Sequence, residues 1–459
     1  MKTLWAHASV VTMNGDREII DDGAVVVEND LIADVGPASE VAARHPGAEV
    51  ADCSGRTIIP GLVNTHTHLF QTLLKGLGDD MVLRDWFVEM TGPSAVQLTF
   101  GDVLAAARHG CAESIRSGVT TLVDFMYVHP RPHLADAVVQ AFVETGIRGV
   151  VARGYITTGE GSEVPPELVE SLDAALADAS RLISATNRPG GRVQVGLAPC
   201  MIWTVDQRTL TATRELADAE HALITMHVSE TDYEITNSMQ RFGVRDVEVL
   251  ERTGLLGPDL LAVHCVQCDE RDIGMLRAHG AHVSHNPASN AYLASGCAPV
   301  PEMIRRGLTV GLATDGPASS NNHNLIQCMK IAALVHKGEH RDPRVITAGK
   351  VLEMATIDGA RALGLADRIG SLEAGKKADF VVLDLSSPFV TPLHNPVSAL
   401  VYSALGNEPE TVVIDGVTVM ADRVLRTVDE GEVTRAATAA AHDLARRAGT
   451  ARTRYWPGG

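Results

Sequence analysis

The feature that most limits the possible folds is a repeating texture. From residue 58 to residue 312, short, largely apolar runs alternate with longer amphipathic stretches. The runs occupy 58–63, 119–123, 149–152, 193–197, 222–226, 260–263, 281–284 and 308–312. Continuous apolarity over so few residues marks strands buried on both faces, the condition of a parallel sheet covered by helices. Segments with helical patterning lie between most of them, including 101–117, 166–184 and 269–279. Eight βα units are the number that closes a (β/α)8 TIM barrel. An open doubly wound sheet is the alternative, but no G-x-G-x-x-G opens a βα turn.

The two ends read differently. Residues 24–27 and 31–35 form a hairpin pattern around Glu28-Asn29-Asp30, which suits a tight turn. Strand texture returns at 378–384 and 411–417. Neither end holds a core alone, and chain termini often lie close together. The expected organisation is α/β. Residues 1–57 supply the N-terminal part of a small β-sandwich domain, 58–365 the barrel, and 366–459 the C-terminal part of that domain plus a terminal helix.

The polar residues that end the apolar runs carry the chemistry. The first run leads into Asn64-Thr65-His66-Thr67-His68, the fifth into His227-Val228-Ser229-Glu230, the sixth into His264, the seventh into His285 and the eighth into Thr314-Asp315-Gly316. C-terminal strand ends of a barrel face one mouth. A lone histidine is more often a hydrogen-bonded packing residue, but five strands ending this way are hard to reach by accident. Residues i and i+2 of a strand point to one side, so His66 and His68 can bind one ion. With His227 and Asp315 they make a mixed nitrogen and oxygen set suited to Zn²⁺, Fe²⁺ or Mn²⁺. A position left open for water makes such a centre hydrolytic. Glu230, three residues after His227, fits a proton carrier, and His264 fits a partner for the water and the tetrahedral intermediate.

Composition removes other classes. Thirty-nine Lys and Arg against 57 Asp and Glu leave a net charge of −18, with no basic run to track a phosphate backbone. No apolar stretch reaches about 18 residues, so no membrane span is expected. The first residues enter a strand pattern with no signal-peptide core, and seven scattered cysteines argue against a disulfide framework. A cytoplasmic enzyme with a small-molecule substrate is the expectation, with neither nucleic acid nor membrane as partner.

The chain resembles the amidohydrolase superfamily in its aminohydrolase branch, which includes cytosine, guanine and adenosine-type deaminases and s-triazine hydrolases. The resemblance rests on the segment 60–68 (PGLVNTHTH), on His227-Val228-Ser229-Glu230, on 284–290 (SHNPASN) and on Thr314-Asp315-Gly316. Ala355-Thr356 and the segment 370–379 look like the family's return to its terminal β-domain. Within the branch the s-triazine aminohydrolases look nearest, partly through Asn407-Glu408 and Arg423-Val424-Leu425.

What the resemblance implies is a metal held by His66, His68, His227 and Asp315. Glu230 would protonate a ring nitrogen as activated water attacks the adjacent carbon. His264 and Asp315 would activate the water and pass a proton to the leaving amine. Gln71, Trp86, His285 and Asn290 would contact the substrate. Binuclear relatives offer a bridging lysine after the fourth strand, where this chain reads Ala198-Pro199-Cys200. One divalent metal per subunit is therefore expected, zinc ahead of iron or manganese, with Cys200 as a lesser bridging candidate. Cys265-x-x-Cys268 reads as packing, since half a zinc clip is missing.

The resulting activity is removal of an amino or alkylamino group from a nitrogen heteroaromatic of s-triazine, pyrimidine or purine type. Hydrolysis of an amide, urea or carbamate is the alternative, and a non-catalytic scaffold is disfavoured because every ligand is retained. Enzymes of this branch are usually homodimers or larger, and that is expected here.

Overall fold

The computed structural model describes residues 2–159 and 162–451, so the last eight residues of the C-terminal segment lie outside the described residues. Eight parallel strands form the barrel: β1 Leu62–Thr67, β2 Val119–Met126, β3 Arg148–Tyr155, β4 Val193–Pro199, β5 Ile224–Val228, β6 Leu260–His264, β7 His282–His285 and β8 Val310–Leu312. Each pairs in parallel with the next, as right-handed βα crossovers require. Side chains and backbone join the first strand to the eighth. The Asp315 amide donates to the His66 carbonyl (3.1 Å), and Asn64 bridges Thr314 from both ends of its amide (2.8 and 3.1 Å).

Most of these strands are buried along their whole length, which explains their unbroken apolar runs. The helical segments follow suit at Phe100–Arg116, Leu172–Thr186 and Glu270–Ala278. Thr99 and Asp269 begin two of them with full capping boxes, satisfying amides that a helix start leaves unpaired.

Strands from both termini hydrogen-bond into one mixed sheet, in the order Val424–Leu425, Val417–Ala421, Pro409–Ile414, Phe380–Leu383, Thr57–Pro60, Lys2–Val11, Ile19–Glu28 and Leu31–Pro37. The first apolar run is thus shared, its residues 58–60 pairing with Phe380–Val382 and the rest leading into β1. Gly61 stands at the crossing because a Cβ there would lie 2.0 Å from Thr120 Oγ1. The terminal helix, Glu430–Ala448, returns to the barrel, where Arg447 donates to Asp102 at 2.7 Å. No helix among the described residues is long and apolar enough to cross a membrane.

Candidate active site and metal centre

The C-terminal ends of β1, β5, β6 and β8 bring four imidazoles and two carboxyl groups together. Asp315 Oδ1 lies 3.4 Å from His66 Nε2 and 3.5 Å from His68 Nε2, and His227 Nε2 lies 3.3 Å from His68 Nε2. His264 Nε2 stands 3.6 Å from Glu230 Oε2 and 3.9 Å from Asp315 Oδ2. All six side chains are buried.

Bonds behind the rings decide which nitrogens face the centre. His68 Nδ1 donates to the Phe125 carbonyl (2.7 Å), His227 Nδ1 to the Cys200 carbonyl (2.8 Å) and His264 Nδ1 to Asn290 Oδ1 (2.9 Å). Each ring therefore turns a free Nε2 lone pair inward. Neither nitrogen of His66 has a hydrogen-bond partner, an unusual state for a fully buried ring. Ligand atoms of His66, His68 and His227 lie within 4.8 Å of one another, as do those of His66, His264 and Asp315.

The electrostatics agree with a cation site. Burial lowers His66 to about 4 and His68 to about 3, and it holds His227 well below the ordinary imidazole range. The rings are neutral, as metal ligands must be. Burial alone would raise Asp315, but the approach of His66 Nε2 (3.4 Å) and the neighbouring His264 and His68 imidazoles outweigh it and hold the carboxyl well below its usual range. Glu230 moves the other way: burial raises it and Asp315 adds to the rise, with His264 opposing. Two carboxyl groups a short distance apart are thus split into an anion and a group able to carry a proton. Nearby backbone is held in the left-handed region at Ser229 (φ 50°), His264 (φ 72°) and Asp315 (φ 62°), a strain of ~1–3 kcal/mol each that functional sites often retain.

The donor set therefore fits a transition metal. His66, His68 and His227 supply nitrogen, Asp315 supplies oxygen, and the orphaned His66 ring has no other partner to satisfy it.

A cavity of about 700 Å³ opens from this centre, with Gln71, Trp86, Tyr127, Trp203 and Tyr233 among the residues that line it. Gln71 Oε1 is buried without a partner, and a Cβ on Gly316 would lie 1.9 Å from it. Only glycine after Asp315 leaves room for that amide. Trp86 Nε1 donates to the Ala318 carbonyl (2.9 Å), which fixes the indole. Of the sequence-predicted contacts, Gln71 and Trp86 reach the cavity. Among the described residues, His285 and Asn290 are not part of its lining. Asn290 supports His264 from behind, and His285 faces His336 with Nε2 to Nε2 at 3.0 Å. Tyr127, Gln267 and Ser295 line the cavity and were not found from sequence. Tyr127 follows β2 directly, so reading that strand end one residue further would have flagged it. Cys200 also lines the cavity, while Cys265 and Cys268 are buried free thiols.

Fold and site together define a hydrolase whose barrel presents a histidine and carboxylate cluster that fits a metal ion. The chain belongs to the amidohydrolase family: that family's model matches residues 57–419, and a bacterial imidazolonepropionase-like composite domain matches residues 23–48. It is 38% identical over 431 residues to a 5-methylthioadenosine/S-adenosylhomocysteine deaminase of Syntrophobacter fumaroxidans, covering 94% of this chain and 95% of that one. An adenosine deaminase from Xanthomonas campestris with bound zinc superposes with a TM-score of 0.90 at 31% identity, over 98% of this chain and 99% of that one. A zinc-bound atrazine chlorohydrolase from Arthrobacter aurescens shares the fold (TM-score 0.87, 24% identity, 96% of this chain and 100% of that one). The segments behind the s-triazine likeness are structural. Glu408 accepts from the Leu405 and Gly406 amides (2.9 and 2.7 Å), and Arg423 reaches the Asn407 carbonyl (3.3 Å), none of them lining the cavity.

Proposed function

We propose that this enzyme removes an amino group from a nitrogen heteroaromatic by hydrolysis, with an adenosine-type nucleoside as its substrate class. The observation that carries the reading is Glu230, a buried carboxyl raised above its ordinary range and set 3.6 Å from His264 beside the Asp315 anion. An amidine-like ring carbon resists attack until the adjacent nitrogen gains a proton, and Glu230 is the group placed to give it. A carbonyl substrate would not need that proton, which is why amide or urea hydrolysis is the weaker reading.

His66, His68, His227 and Asp315 would hold one divalent metal, zinc ahead of iron or manganese. Bound there, it lowers the pKa of water from about 16 to ~7. Asp315 Oδ2 and His264 Nε2, 3.9 Å apart, are the acceptors placed to take the first proton of the attacking water. Glu230 would deliver its own to the ring nitrogen, the first water proton would pass to the departing amine, and the hydroxyl proton left on the carbon would return to Glu230 as the carbonyl forms. One water and one aryl amine become a ring carbonyl and ammonia. Gln71 offers its unpartnered carbonyl to a donor on the heterocycle, and Trp86 offers an apolar face. Asn290 acts by orienting His264.

Volume supports the nucleoside class: about 700 Å³ exceeds one heteroaromatic ring and suits a ligand with an appended group. The names of the relatives point the same way. An s-triazine amine, which shares the ring-nitrogen, carbon and amine unit, is the smaller candidate. A panel containing adenosine, 5'-deoxyadenosine, methylthioadenosine, cytosine and an s-triazine amine, assayed for ammonia, tests the reading. Release from amides or ureas alone would overturn it.

The proposal extends to a homodimer or larger assembly. Phe389, Leu393 and Leu334 are large apolar side chains left exposed around the packed helices Leu325–His340 and Pro396–Tyr402, and a partner subunit would cover them. Sedimentation as a monomer at micromolar concentration would refute this.

A further inference from the structure

Two consecutive backbone amides leave β5, and a buried carboxyl group takes each. Asp246 accepts from the Ser229 amide at 2.7 Å and from the Ser229 hydroxyl at 2.7 and 2.9 Å. Glu234 Oε2 accepts from the Glu230 amide at 2.6 Å. Thr231 and Glu234 are the N-cap and third residue of the helix Asp232–Phe242. A glutamate reaching back to an N-cap amide is an ordinary helix start. Two features exceed that role. Glu234 is 1% exposed, where capping carboxylates commonly meet water, and its other oxygen, Oε1, has no hydrogen-bond partner.

We propose that Glu234, backed by Asp246, is a positioning residue that fixes the backbone of Glu230 so that its carboxyl meets the substrate, and that Glu234 does so as a neutral acid. Ser229 turns through a left-handed conformation (φ 50°), and Asp246 holds that turn. The next amide is held by Glu234, so the backbone entering the residue that carries the proton is anchored at two successive amides. Burial pushes Glu234 well above the ordinary carboxyl range, and the negative charges of Glu230 and Asp246 add to the rise. In its neutral form one oxygen remains a carbonyl acceptor for the Glu230 amide while the proton sits on the unpartnered oxygen. Glu230 can then change protonation state without a second anion pressed against its backbone.

The inference rests on the reading of Glu230 as the proton carrier, and three variants separate the two. Glu234→Gln reproduces the shape and acceptor of the neutral acid and should keep kcat within about threefold of wild type. Glu234→Leu removes the acceptor. It should lower kcat by about 10²-fold while metal content stays constant and KM moves by less than about threefold, because the loss falls on the transition state. Wild-type kcat in Glu234→Leu, or an equal collapse in Glu234→Gln, overturns the proposal. If Glu234→Leu does not fold, Glu234→Asp, whose shorter side chain withdraws the acceptor, takes its place; lowered kcat is then expected, and wild-type kcat overturns the proposal. Glu230→Gln is the control. Unimpaired turnover there defeats the proton role itself, whereas an impaired Glu230→Gln beside an unimpaired Glu234→Leu defeats the positioning alone.

Discussion

His264 donates from Nδ1 to Asn290 Oδ1 over 2.9 Å, and this bond decides the chemistry available at the other nitrogen. With the proton held behind the ring, Nε2 faces Glu230 and Asp315 as an acceptor. A histidine at a strand end presents an acceptor nitrogen to these carboxyl groups because an asparagine from the helix Pro287–Tyr292 stands behind it.

Replacing Glu230 by Gln keeps the side chain's shape but removes its titrating proton. Turnover should fall by about 10²–10⁴ with KM far less affected, the usual share of general acid–base catalysis. Metal content should match wild type, because Glu230 approaches His264 and Ser295 (3.6 and 3.4 Å) and is not among the clustered ligand groups. Loss of metal in this variant would make Glu230 a ligand. A substrate with a chloro leaving group should lose less activity, since its departure needs no proton.

Elemental analysis of active enzyme should find one transition metal per chain. The ligand atoms converge around a single centre, and Cys200 contributes its carbonyl to His227 from behind. His66→Ala and His68→Ala should each abolish metal binding and activity together. Two equivalents of metal in active protein would contradict the mononuclear assignment.

Asp124 supplies a pH-dependent prediction. Burial raises this carboxyl from 3.8 to about 7, although Oδ1 accepts from the Leu69 amide at 2.7 Å. The folded protein therefore binds a proton here that the unfolded chain releases near pH 4. The resulting stability is fully present below that point and is lost as pH rises through about 7. Asp124→Asn keeps an acceptor for Leu69 and cannot ionise. Thermal denaturation should show the variant gaining on wild type between pH 5 and 8, with little difference near pH 4. A constant difference across that range would show that Asp124 does not titrate as described.

The joint between barrel and terminal sheet depends on Arg148. Its guanidinium binds Asp379 in bidentate fashion (2.6 and 3.0 Å) and Asp415 at 2.8 Å, and Arg148 and Asp379 are both buried. Removing one partner of a buried ion pair typically costs ~3–5 kcal/mol, because the remaining charge is left unpaired. Arg148→Met should lose stability of that order in chemical denaturation. Restoring it with Asp379→Asn in the same chain would identify the stranded charge as the cause.

Local patterning alone determined much of this protein. Buried parallel strands must be apolar along their length, so the eight runs announced the barrel, and the two-residue period of a strand placed His66 and His68 on one side. The hairpin turn at Asn29 and the return of strand texture near Phe380 were equally local signals. Tertiary structure alone decided what stands behind each catalytic group. His285 follows a strand like its neighbours, yet its ring packs against His336 from a helix 51 residues away, because the direction of a side chain at a strand end depends on what fills the space beside it. Asn290 belongs with His264, Gln71 with Gly316, and Glu234 with the amide of Glu230 for the same reason: burial demands a partner for every polar group, and nonlocal packing supplies it. The sequence shows which residues can carry protons and metals, and the packed barrel determines which nitrogen, which oxygen and which protonation state each presents.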